Sequence, residues 1–156
     1  MVKVLIMESE RDILWKYYEF ELSQAINHES SRVSITNMIL IITGVIITII
    51  TYDENLSTND LPLSLFLIVV GIFGVVFNAK SYERFNFHNT RAGGYRNLLE
   101  ERYPNIDFLK ARELSDRENK EKFFFINKLR LNWLWLILNG LISLFGLTIT
   151  IIILFT

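Results

Sequence analysis

The chain has no cysteine, and its 156 residues include only two prolines, two histidines and seven glycines. Lack of cysteine excludes disulfides, thiolate metal sites and a cysteine nucleophile. His28 and His88 stand far apart with no repeated ligand spacing, so no metal site is expected. The glycines form neither a phosphate loop nor a dinucleotide fingerprint. No G-x-S-x-G nucleophile motif is present, nor a paired-acid arrangement suited to hydrolysis. The expectation is a protein that is not an enzyme and needs no cofactor. Sixteen Lys and Arg balance 17 Asp and Glu, so charge gives no reason to expect a nucleic-acid partner. The start, MVKVLIMESERD, is too short an apolar run for a secretory signal.

What the chain does have is hydrophobicity: 51% of its residues are apolar and the mean hydropathy is +0.29. Three uncharged runs carry it. Residues 33–52 (VSITNMILIITGVIITIITY) supply about 20 residues, enough helix to cross roughly 30 Å of hydrocarbon. Residues 61–79 (LPLSLFLIVVGIFGVVFNA) form the second, opened by Pro62 where a missing N–H costs little. Residues 131–155 form the third. So little polar chain remains that these runs read as membrane spans rather than buried core helices.

All 16 basic residues lie before the first span or between the second and third. The connection DENLSTND has acids and no base. The positive-inside rule therefore places the N-terminus and the central segment in the cytoplasm, with residues 53–60 and Thr156 outside. Trp133 and Trp135 stand where an aromatic belt belongs, at the cytoplasmic entrance of the third span. The expected layout is an N-terminal cytoplasmic helix (1–32), two transmembrane helices (33–79), a cytoplasmic helical hairpin (80–130) and a third transmembrane helix (131–156). It is an all-α integral membrane protein whose spans extend into a cytoplasmic bundle.

In the N-terminal part, Ser9 with Asp12 reads as a helix start. Residues 10–32 have few bases, which favours a helical stalk over an interfacial helix. Residues 80–103 continue the second span until Pro104 stops them. Asp107 can cap a further helix that runs on into the third span, with Ser115 and Glu118 as a restart. Arms 80–103 and 108–130 would make an antiparallel hairpin of about 33 Å, returning the chain to the membrane.

At 100° per residue the small and polar span residues gather on one side of each helix. They are Asn37, Gly44, Thr48 and Thr51; Ser64, Gly71 and Asn78; and Asn132, Asn139, Ser143, Gly146 and Thr150. Lipid rewards no polar group, so these seams serve either close helix packing or a water-lined path. No span holds an ionisable residue, which argues against a proton relay, a voltage sensor or an ion-coupled transporter. Three helices do not enclose a channel alone, so a pore would need several copies around an axis. Self-association is the expectation.

HNTRAGGYRN, residues 88–97, gathers a histidine, two arginines and two adjacent glycines on the second cytoplasmic arm. On a helix Arg84, His88, Arg91, Tyr95 and Arg102 fall within about 60° of one another. Two readings stay open. The stripe pairs with acids such as Glu100, Glu101, Glu113, Asp116, Glu118 and Glu121, or copies around an axis converge it on an anion, a nucleotide signal or a lipid headgroup.

With YYEFELSQ before two spans, YERFNFHNTRAGGYRNLLEERYP after them and NWLW opening the last, the chain resembles the small inner-membrane effectors of bacterial phage-defence operons, including those called SLATT proteins. The third span departs from the two-span SLATT pattern. A second resemblance is to RipA-type small oligomeric membrane proteins. The first resemblance implies a pore-forming or depolarising effector in the bacterial inner membrane, triggered by a cytoplasmic protein partner or a nucleotide signal. The alternative is a non-conducting oligomeric scaffold or receptor.

Overall fold

The computed structural model describes residues 2–52, 55–104, 108–124, 126 and 129–155, with side chains at all of these except 2–9, 108, 109 and 111. The described residues are helical and contain no strand. Helix α1 runs Val2–Ile50, α2 Leu61–Arg102, α3 Phe108–Lys122 and α4 Leu131–Phe155, with a short 3₁₀ turn at Thr58–Asp60. Three of the helices, α1, α2 and α4, are long and apolar enough to cross a membrane.

Two expected boundaries are corrected. The helix is already under way at Val2, so Ser9 with Asp12 is an interior stretch and not a start; the residues before it are adequate helix formers, and a capping pair permits a start without requiring one. Helix α3 ends at Lys122 and does not run into the third span. Phe123 and Phe124 lie in a turn, and Leu129 N–H donates to Ile126 O at 3.0 Å. All described α3 side chains are exposed, so no buried stripe carries the helix onward through the aromatic run. Ser115 and Glu118 sit inside this continuous helix, with no restart. The expected cap Asp107, Asp53 and Glu54 of the outer connection, and Thr156 lie outside the described residues.

Helix α2 begins on a side-chain cap that lies ahead of Pro62. Ser57 N–H donates to Asp60 Oδ2 at 2.9 Å while the Ser57 hydroxyl oxygen accepts from Asn59 N–H at 3.3 Å. The pair satisfies donors that the first turn leaves without partners.

By packing, the chain divides into two units: 1–28 with 83–130, and 29–82 with 131–156. In the second, the apolar unit, α1 buries Arg32, Thr36, Ile39, Thr43, Ile46 and Ile50. Helix α2 buries Ser64, Leu67, Gly71, Gly74, Asn78 and Ser81, and α4 buries Asn139, Ile142, Gly146, Ile149 and Ile153. Each series alternates steps of three and four, the spacing of a coiled-coil seam. The other sides stay apolar and open, with Ile41, Val45, Val69, Val76, Leu141 and Leu144 all exposed. Helices apolar on their outward faces match a hydrocarbon surround.

Candidate functional site

In the apolar unit the polar seam is a packing device along α2 and α4. A Cβ at Gly71 would lie 2.5 Å from Ser143 N, one at Gly74 would fall on the Asn139 amide, and one at Gly146 would lie 2.8 Å from both Leu67 Cβ and Ser64 O. Glycine at these three positions lets the two backbones approach. The polar groups are then bonded across and along the helices. Asn78 Nδ2 donates to Thr36 Oγ1 at 3.2 Å and to Gly74 O at 2.8 Å. The Thr150 hydroxyl, 2.9 Å from Ser64 Oγ and 2.9 Å from Gly146 O, donates to one or the other. Asn139 Nδ2 donates to Trp135 O at 2.8 Å. Among the described residues Asn78 Oδ1 of α2, Asn139 Oδ1 of α4 and the Thr43 hydroxyl of α1 stay buried without a partner.

On α1 the structure rotates the expected seam. Asn37, Gly44, Thr48 and Thr51 are exposed, and the inward polar residues are their neighbours Thr36 and Thr43. The expected stripe is centred about 130° away from the packed side. One register step on a helix is 100°, and in a run apolar all round nothing but packing chooses between adjacent positions.

Arg32 escaped notice in the sequence because it lies just outside the uncharged run. It is 3% exposed. Its guanidinium donates to Glu29 at 2.6 Å and to Asn132 Oδ1 at 3.3 Å, and lies 5.9 Å from the centre of the Tyr82 ring. It therefore ties α1, α2 and α4 together where the uncharged stretch begins. An arginine abutting a long uncharged run, with an acid three residues before it, was the available signal.

The polar unit accounts for the basic stripe. Glu21 on α1 is buried, and His88 Nδ1 donates to its Oε2 at 2.7 Å while Arg91 lies 3.2 Å from its Oε1. Arg102 pairs with Glu10, Arg84 lies 3.8 Å from Glu83, and Tyr95 stacks on Tyr17 with ring centres 5.5 Å apart. The Phe87 ring lies between two guanidiniums, 5.8 Å from Arg84 and 5.4 Å from Arg91. The acids across from the stripe are thus Glu10 and Glu21 of α1, in place of the expected Glu100, Glu101, Glu113, Asp116, Glu118 and Glu121. His28 and His88 stack at 5.4 Å, and no group of three metal-ligating side chains occurs among the described residues.

No family model, curated protein or solved structure matches the chain. The apolar unit spends the α2 and α4 seams on its own packing and leaves one polar stripe, on α1, open. The polar unit locks most of its basic stripe to carboxylates.

Proposed function

We propose that the protein is an oligomeric membrane effector of the bacterial inner membrane, which passes ions or depolarises the membrane when its cytoplasmic part receives a signal or partner. The N-terminus and residues 80–130 then face the cytoplasm and the C-terminus faces outward. The observation that carries this reading is the exposed α1 stripe. Asn37, Gly44 and Thr48 lie within a span yet are exposed, and a Cβ at Gly44 meets no atom within 4 Å. A polar, small-residue stripe facing lipid is unfavourable, whereas facing other copies it allows close approach or lines a wet path. Copies arranged around an axis would bring α1 to the centre, with the α2–α4 pair behind it.

Ion flux from liposomes holding the purified protein, measured beside its crosslinked size, tests this. Gly44→Leu and Asn37→Leu should reduce both the oligomer and the flux while leaving the protomer's melting temperature unchanged. Wild-type protein that stays monomeric in bilayers and leaves liposomes sealed under all conditions would defeat the proposal. A second reading, the non-conducting scaffold or receptor, is favoured by the seam in which Asn78, Ser64 and Thr150 bond inside one chain. Its signature is an intact oligomer without flux.

A further inference from the structure

The polar unit holds a cavity of about 270 Å³ that the paired basic stripe does not line. Its walls come from three helices: Tyr18 and Leu22 of α1, Asn89, Gly93 and Arg96 of α2, and Arg112 of α3. Two guanidiniums, an amide and a phenol therefore surround one space, and no carboxylate lines it among the described residues. Most of the wall is polar. Arg96 is half-buried, and its Nε is fully buried without a hydrogen-bond partner. Glu100, one turn along α2, leaves its own Oε1 buried and partnerless, so the two do not satisfy each other at these atoms. Among the described residues Arg112 has one weak ion-pair partner, Asp116 at 3.6 Å, and both side chains are more than half exposed.

We propose that this cavity is a binding site for a phosphate monoester group. The donors suit that chemistry. A guanidinium offers a planar fork that matches phosphate oxygens bidentately, and charge-assisted bonds of this type are about twice as strong as neutral ones. A second guanidinium balances the dianion, while Asn89 and Tyr18 supply further donors for the remaining oxygens. The size limits the ligand. At about 270 Å³ the space lies at the small end of ligand pockets, fitting a phosphate with a small attached group. Gly93 keeps the space open: it lines the cavity, and a Cβ built there meets no atom within 4 Å. This gives the glycine of HNTRAGGYRN a role in which the missing side chain is the ligand's room. The site stands on the polar unit alone, whether or not the protein conducts.

Isothermal titration of the full-length protein in detergent with inorganic phosphate tests the site directly, with chloride at matched ionic strength as the control. One saturable phosphate site per chain is expected. Arg96→Gln and Arg112→Gln should each weaken it at least tenfold, and Gly93→Leu should abolish it with both arginines in place. The leucine variant also guards against misfolding, because replacing a helical glycine should leave the melting temperature unchanged or raised. Nanodiscs separate the sources of the phosphate: stabilisation by phosphatidic acid over phosphatidylcholine identifies a lipid headgroup, and free phosphate binding without that preference identifies a soluble ligand. Absence of saturable binding in both arms, or binding that survives Gly93→Leu undiminished, overturns the proposal.

Discussion

Glu21 shows how one side chain can set the stability of the polar unit. Its carboxylate is only 2% exposed and faces both His88 and Arg91. Breaking a buried charged pair costs about 3–5 kcal/mol when the charge left behind is buried, and less where, as here, Arg91 is 47% exposed. Glu21→Ala should therefore lower the unfolding free energy by about 1–3 kcal/mol, read from helical circular dichroism on urea titration in mild detergent. Arg102→Gln is the contrast. Arg102 and Glu10 are both 46% exposed, so water screens them and the loss should stay below about 1 kcal/mol. Equal effects from the two substitutions would mean that burial does not set the difference. The glycines divide by the same local logic. Gly71→Leu drives a side chain into the Ser143 backbone and should cost about 1–3 kcal/mol, whereas Gly94 has open space around its Cβ position, and Gly94→Ala should stabilise by about 1 kcal/mol.

At the scale of the element, the four helices differ in what sustains them. Helices α1, α2 and α4 each bury one seam in the apolar unit, while all described side chains of α3 stay exposed. A 15-residue helix without a buried face is marginal in water, since nucleation is costly and surface pairs such as Arg112–Asp116 add only about 0.2–0.5 kcal/mol. Amide hydrogen exchange should therefore be fast along α3 and slow along 64–81 and 139–153. Protection of α3 equal to that of α4 would show that it packs against something in the assembly. If phosphate occupies the cavity beside Arg112, protection in the neighbouring part of α3 should rise with phosphate concentration.

For the whole molecule, the charge distribution makes the firmest statement. A reporter inserted at Asn105 should behave as cytoplasmic and one fused to the C-terminus as external, because all 16 basic residues flank the spans on one side. Both reporters on the same side would remove the three-span topology. The proposed self-association belongs to this scale too, and it rests on the exposed α1 stripe. Gly146, a natural target for disrupting an oligomer, is enclosed by Leu67 and Ser64 of the same chain, so Gly146→Leu should damage the protomer first. The residue to change is Gly44.

The three helices long and apolar enough to cross a membrane, the start of α4 at Leu131 and the stop of α2 before Pro104 were legible in the sequence. These follow from hydropathy, length and the geometry of proline, all local quantities. The polar and small seams of α2 and α4 could also be read, because Ser64, Gly71 and Asn78, and Asn139, Gly146 and Thr150, stand out against apolar neighbours at a helical period. Tertiary structure alone decided three things. It chose Thr36 and Thr43 over Asn37 and Gly44 as the packed side of α1, where adjacent positions are chemically alike. It gave the basic stripe its partners Glu10 and Glu21, some 70 to 90 residues earlier in the chain. And it gathered Tyr18, Gly93, Arg96 and Arg112 around one cavity: Asn89, Ala92, Gly93 and Arg96 share a face of α2 by its own period, but only the fold brings Tyr18 of α1 and Arg112 of α3 to that face.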